Sequence, residues 1–170
     1  MPLVYALQLI PGLAWIPITL LLFGLGNVST IFMIFMLALT PIIITTSTGI
    51  SNTPSDLINS AILMGASRRS LVIHVLFPSA LFHIVDGMRI GLANSWRVLI
   101  AAEMIVGEGV GLGYIIIQSR WSLDYISAFV SIIIIVMIGL TFEKFLFQII
   151  DNKLRLKYGS YLQHQAMSNE

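Results

Sequence analysis

The chain opens on an uncharged apolar stretch: Met1 to Ser55 holds no Lys, Arg, Asp or Glu, and the first charge is Asp56. A secretory signal peptide needs a basic leading region, so this start reads as structure. Pro11-Gly12 and Gly24-Leu25-Gly26-Asn27 break the stretch. They predict a first span ending at Phe23, with its start at Leu3 or Leu13 left open because Pro11 and Pro17 both interrupt it. Such breaks survive in a bilayer only where protein or water satisfies the freed backbone groups. A second span is predicted from Val28 to Thr45. Its 18 residues rise about 27 Å, close to the hydrocarbon thickness, and Thr40-Pro41 should kink it.

The texture then changes. Thr53-Pro54-Ser55-Asp56 predicts a helix start, with Thr53 as N-cap, Pro54 at the first helical position and Asp56 near the positive end of the dipole. A short helix to Met64 follows, ended by Gly65 in the left-handed conformation. Ser67 can cap a second short helix, bounded by Pro78 and carrying Arg68 and Arg69. From Ser79 to Val106 a long helical pattern resumes. Its 28 residues rise about 42 Å, more than the hydrocarbon core, so the early part with Asp86 and Arg89 belongs at or inside one membrane interface. A glycine-rich loop comes next, Gly107-Glu108-Gly109-Val110-Gly111-Leu112-Gly113, then a short helix around Ile115–Ile117. Tyr125 to Phe142 is a last span of 18 residues without charge, with Glu143 and Lys144 marking its end. Residues 1–158 read as one membrane domain, with the helix–Gly–helix unit at about 53–78, and 159–170 as a polar tail expected to be disordered.

Composition turns this row of apolar helices into a membrane protein. Of 170 residues, 57% are hydrophobic and only 10% charged, against about 25% charged in an ordinary soluble domain. So few charges cannot cover a soluble globule, and disorder needs the opposite balance. A mean hydropathy of +0.93 fits an all-α polytopic membrane protein, and the length allows about four or five spans of roughly 20 residues each. Nine Lys+Arg against eight Asp+Glu give a formal +1, which leaves no basic surface to suggest nucleic acid. The absence of cysteine excludes disulfides and thiolate metal sites. Arg68, Arg69, Lys153, Arg155 and Lys157 fall on one side, against Arg120, expected to be partnered by Glu108 and Asp124, on the other. The basic side should be cytoplasmic, with Trp121 and Tyr125 as anchors at the outer interface.

Several chemistries find no residues. There is no Walker A loop for ATP phosphates. The glycines from Gly107 to Gly113 recur at every second residue, which is not the dinucleotide fingerprint. His74, His83 and His164 lack metal-ligand spacing. No cofactor, metal or catalytic set is expected. The signal lies in the polar residues of the third span. An ionised side chain at the centre of a lipid-facing helix costs about 2.5–3.5 kcal/mol on insertion scales, so Arg97 and Glu103 should face protein or water. At about 100° per residue, Arg89, Trp96 and Glu103 share one stripe, and Asp86 and Arg97 another. Either a stripe lines a translocation pathway or the charges pair with neighbouring helices and fix packing. Glu103, near a helix end, leans toward packing. Gly87 and Gly91 make a step that permits close helix approach.

The helix–Gly–helix unit reads either as a loop lying on the membrane surface or as a knob that docks a soluble partner. Asn59-Ser60-Ala61-Ile62-Leu63-Met64-Gly65-Ala66-Ser67-Arg68-Arg69, followed by Val75-Leu76-Phe77-Pro78, resembles the EAA loop of bacterial ABC importer permeases. That loop reads Glu-Ala-Ala, three residues, Gly, nine residues, Ile, one residue, Leu-Pro. Ile10-Pro11-Gly12-Leu13-Ala14-Trp15-Ile16-Pro17, Phe23-Gly24-Leu25-Gly26, Ala101-Ala102-Glu103-Met104 and Gly111-Leu112-Gly113-Tyr114 look like the nitrate/sulfonate/taurine/bicarbonate branch of that family. The resemblance covers about Ile10 to Tyr158.

It implies the type I importer permease bundle, multi-pass in the bacterial inner membrane with loop and C-terminus cytoplasmic. Two permease copies would form a pathway for a small anion such as nitrate, sulfonate, taurine or bicarbonate. An ABC ATPase subunit would hydrolyse ATP, and an extracytoplasmic solute-binding protein would deliver the solute. Residue by residue, Asn59, Ser60 and Ala61 through Gly65 match the first loop helix and its turn. Ala66, Ser67, Arg68, Arg69 and Ser70 match the segment that meets the ATPase, Pro78 the closing proline, and Glu103 the Glu of the Ala-Ala-Glu segment. Asn59 departs from the family's Glu, and Ser60 from its first Ala. Family members also carry about two further spans before the Ile10–Pro17 segment, which implies a fragment, a late start or a short subunit. Two other readings stay open: a stand-alone secondary transporter or channel working through Asp86, Arg97 and Glu103, and a remnant that inserts without transporting.

Overall fold

The computed structural model describes residues 2–106, 109–150 and 152–154, and every element among them is a helix. Three helical rods are long and apolar enough to cross a membrane: Asn27–Ser51, Arg68–Ile105 and Tyr125–Leu154. A bent pair before them makes a fourth if it is counted as one span. The tail 159–170 lies outside the described residues, as do Arg155 and Lys157 before it.

The broken first segment resolves its two predicted starts into two helices. α1 (Pro2–Leu9) and the stretch Gly12–Phe23 meet at 95°. Pro11 holds the corner at φ −58° and ψ 138°, an extended conformation that no helix can continue. A 3₁₀ turn, Gly12–Trp15, then leads into α2 (Ile16–Phe23). Pro17 falls in the first turn of α2, where a missing N–H leaves nothing unpaired. Gly24 closes α2 at φ +74°.

α3 (Asn27–Ser51) outruns its predicted end by six residues, from Thr45 to Ser51, and keeps Pro41 inside it. Thr53 does not cap the next helix. Pro54 holds that position, and Thr53 is buried, donating its hydroxyl to the Gly49 carbonyl and lying 3.2 Å from Ser79 Oγ. A polar group removed from water needs a hydrogen-bond partner, and Thr53 finds its partners on α3 and on the helix that carries Ser79. α4 (Ser55–Leu63) carries Asp56 in its first turn, as the dipole argument requires.

Pro78 does not bound a short helix either. α5 (Arg68–Leu71), a π turn over Val72–Leu76 and α6 (Phe77–Ile105) form one rod of 38 residues. The Phe77 N–H bonds back to the Val72 carbonyl, five residues away. That wide turn makes room for the proline ring and places its missing donor at the start of α6. α7 (Leu112–Ser122) is longer than the expected turn, and α8 (Tyr125–Phe142) has the predicted bounds. Asp124 caps α8, accepting from Ser127 Oγ at 2.6 Å and from the Ser127 N–H at 3.2 Å. Those bonds hold its carboxyl below the usual carboxylate range. Glu143 does not end the rod, which runs on through a second π turn, Glu143–Phe147.

α3 and α6 pack along a seam of small residues. A Cβ added at Gly91 would stand 2.9 Å from the Ala38 carbonyl oxygen. One at Gly87 would meet Thr45 Oγ1 and stand 2.9 Å from Ile42 Cα. Ser95 continues the row, donating to the Ile34 carbonyl at 3.2 Å. Beyond it Ile16, Met33, Ala102 and Val106 form a small buried cluster with Trp15, Leu20 and Val98 packed against it. Small residues let backbones approach where lipid supplies no hydrophobic drive between helices.

Candidate functional site

Three places hold the candidate functional side chains. The first is the knob. α4 ends in a Schellman turn, with the Ala66 N–H bonded to the Ala61 carbonyl at 3.0 Å and the Gly65 N–H to the Ile62 carbonyl at 2.9 Å. Gly65 sits at φ +80°, and a Cβ there would find nothing within 4 Å. The Ser67 side chain then accepts the Ser70 N–H at 3.3 Å and starts the 38-residue rod. Asn59, Ser60, Gly65, Ser67, Arg68 and Arg69 are exposed, while Ala61, Ala66, Ser70 and Pro78 are half-buried. The apex also exposes Leu63 (88%) and Met64 (86%), two apolar side chains beside two arginines. His74 faces back onto the Ser70 carbonyl at 3.1 Å.

The second place is the junction of α6 and α7. Glu103 Oε2 accepts the Gly113 N–H at 2.8 Å, at the positive end of α7. Gly113 lies against the Ile100 carbonyl, and Gly111, at φ +119°, lies against the Glu103 carboxylate; a Cβ at either would collide. The glycines thus let the loop backbone descend onto α6, and Glu103 satisfies a donor that the helix cannot. These contacts are those that a packing role requires. Gly107 and Glu108 lie outside the described residues. Arg120 stacks on the Trp121 ring at 5.8 Å, while Asp124 is engaged by Ser127. Glu103→Ala leaves that N–H unsatisfied, a cost of about 1–3 kcal/mol. Melting in detergent should fall by several degrees, and Glu103→Gln, which keeps an acceptor, should lose less. Equal melting of both variants and wild type would remove this role.

The third place is a cleft of about 500 Å³ between α6 and the lower part of α8. Arg89, Trp96 and Arg97 line it from α6, and Gly139, Phe142, Glu143 and Phe147 from the other side. Arg89 Nε lies 3.8 Å from Glu143 Oε1, and its guanidinium stacks on the Phe147 ring at 5.1 Å. Trp96 and Phe142 are 6.5 Å apart between ring centroids. Arg97 is exposed.

The predicted stripes therefore split. Arg89 and Trp96 share the cleft as expected, but Glu103 leaves it for Gly113, and Arg97 joins Arg89 rather than Asp86. Glu103 stands 14 residues beyond Arg89, about 21 Å farther along α6, which carries it past the end of the cleft. Asp86 lies about 16 Å along the rod from Arg97, below the cleft. Glu143, Phe142 and Gly139 escaped the sequence reading. Gly139 within an otherwise bulky run was the available signal, since it is where Trp96 Nε1 approaches to 3.2 Å of a would-be Cβ.

Comparison with known proteins points one way. A family model described as binding-protein-dependent transport system inner membrane component matches residues 1–156. A putative ABC transporter permease protein of Methanocaldococcus jannaschii is 39% identical over 143 residues, 84% of this chain and 53% of that protein. A nitrate import permease protein of Synechocystis is 35% identical over 145 residues, covering 85% and 52%. A bicarbonate transport system permease protein of Synechococcus elongatus gives the same figures. The chain spans about half the length of these relatives.

Proposed function

The chain belongs to the family of binding-protein-dependent transport system inner membrane components, and from that premise we propose that it is a permease subunit of an ATP-driven importer of a small anion. The observation that carries the reading is the knob: a Schellman turn at Gly65 that projects Leu63, Met64, Arg68 and Arg69 on the end of a rod continuous with a membrane span. A shape of that kind suits insertion into a groove of a soluble ATPase. Asn59 to Ser70 would make the contact, with Pro78 supporting the rod behind it. The nitrate and bicarbonate permeases among the relatives support an anionic solute, and Arg97 supplies charge of the right sign.

In this reading four spans, counting the bent pair as one, sit in the bacterial inner membrane, with the knob and the C-terminal end cytoplasmic. Two permease copies line the pathway, an ABC ATPase subunit hydrolyses ATP, and an extracytoplasmic binding protein presents the solute. Residues 1–158 act as one membrane domain. The decisive experiment is co-purification of the full chain, in mild detergent, with a co-expressed ABC ATPase subunit from the same cell. Retention of that subunit is expected; failure to retain it at any salt concentration would sink the reading.

Orientation has its own test. The chain has no cysteine, so Ser67→Cys and Ser122→Cys, both at exposed positions, give single labelling sites. An impermeant thiol reagent on intact cells should label position 122 and spare 67. The reverse pattern would invert the topology.

A further inference from the structure

Resting on the permease reading, we infer that the cleft between α6 and α8 receives an organic anion with a flat apolar body, and that nitrate- or bicarbonate-sized ions are too small for it. Its volume is about 500 Å³. Nitrate or bicarbonate occupies on the order of two water volumes, about 60 Å³. Most of the space would then hold water against apolar side chains such as Ile90, Leu92 and Leu140, and water in an apolar cleft lacks partners. A body of ten or more heavy atoms fills such a cleft, which falls in the usual range of about 300–1,000 Å³ for small-molecule sites.

The charges give the ligand its sign and its orientation. Arg89 is already engaged by Glu143 and Phe147. Arg97 has no ion pair or hydrogen bond among the described residues, and it lies within a membrane-spanning rod. A guanidinium at that depth is stabilised by an anion, and its planar fork suits a sulfonate or carboxylate. Trp96 is the adjacent residue on the same cleft wall, with Phe142 beyond it. The two tilted rings offer faces and edges to a flat ring. A phospholipid fits less well. Counting the rise along α8 from Tyr125, Gly139 and the facing Trp96 lie about 21 Å down. Arg97 therefore sits among acyl chains rather than headgroups.

Trp96 is also the reporter. The probe is 4-nitrobenzenesulfonate, which quenches indole on contact, titrated into the full chain in nanodiscs. Its neutral counterpart, 4-nitrobenzamide, is titrated in parallel. Saturable quenching by the sulfonate is expected. Trp96→Phe should remove that component, Arg97→Gln should weaken it at least ten-fold, and Arg97→Lys should restore part of the loss. A hundred-fold excess of bicarbonate should displace no more probe than the same concentration of chloride.

Equal quenching by the amide, or no change in Arg97→Gln, overturns the inference. So does displacement by bicarbonate beyond that by chloride. Quenching that survives in zwitterionic discs and vanishes in discs rich in anionic phospholipid assigns the cleft to lipid and also overturns it. No ATP enters the measurement, so it can fail while ATPase capture succeeds, or succeed while capture fails. The two readings are thereby separable.

Discussion

If the chain is the proposed permease subunit, Gly65→Val should insert into the membrane at the wild-type level and lose its hold on the ATPase subunit. Gly65 stands at φ +80°, where a β-branched residue is strained by about 1–3 kcal/mol. Nothing lies within 4 Å of its would-be Cβ, so no clash competes with that strain as an explanation. The chain can relieve it only by opening the turn, which breaks the Ala66–Ala61 and Gly65–Ile62 bonds together. Leu63 and Met64 then move relative to Arg68 and Arg69, and the docking shape is gone. A strain of that size corresponds to about a 5- to 150-fold loss of the competent form, so ATPase co-purification should drop at least five-fold. Gly65→Asn, which tolerates the left-handed region, should keep most of it. Undiminished capture by Gly65→Val would remove the knob from the coupling machinery.

Gly91→Val should act earlier, on assembly of the helices. The would-be Cβ lies 2.9 Å from the Ala38 carbonyl oxygen and 3.4 Å from Ala38 Cα. Both are backbone atoms of a helix and cannot swing aside. α3 and α6 must separate, opening the seam at Gly87 and the Ser95–Ile34 hydrogen bond with it. Overpacking of a tight contact costs about 1–3 kcal/mol, occasionally more. The variant should accumulate in membranes at a small fraction of the wild-type amount. Gly139→Ala makes the fair control, because there the Cβ meets a side chain, Trp96 Nε1, at 3.2 Å. Near-normal accumulation of the control and loss of Gly91→Val are expected; equal accumulation would show that the seam does not hold the spans together.

What could be read in advance follows from which signals are local. A charge-free run bounded by Asp124 and Glu143 located α8, and Gly65 and Ser67 announced the turn and the cap they make. Thr53 and Glu143 misled for one reason: each was weighed against its own neighbours in sequence. Pro78 misled for another, since a proline is a helix boundary only while the turn before it keeps four-residue bonds. The π turn that admits Pro78 depends on a bond from Phe77 to Val72. Thr53 is settled by Ser79 on another helix, and Glu143 by Arg89 across the cleft. Periodicity could place Trp96 and Arg97 on α6, but not tell which part of α8 they would face. The candidate pathway or packing charges split for the same cause, since Glu103 found Gly113 and Arg97 found open space.

The rod from Arg68 to Ile105 has a mechanical consequence. Its 38 residues measure about 57 Å, nearly twice the hydrocarbon thickness of about 30 Å. A stiff bar that tilts about its closest contacts, the backbone approaches at Gly87 and Gly91, acts like a beam on a fulcrum. A push on the Ser67 end then swings the Glu103 end in the opposite direction, by an amount set by the ratio of the two arms. From Gly91 those arms are about 35 Å and 18 Å, a reduction of roughly two. A shift of about 4 Å at the knob would reach the Glu103–Gly113 contact as about 2 Å, reversed in sense. The π turn at Val72–Leu76 lies in the long arm, so any compliance there is lost motion before the pivot.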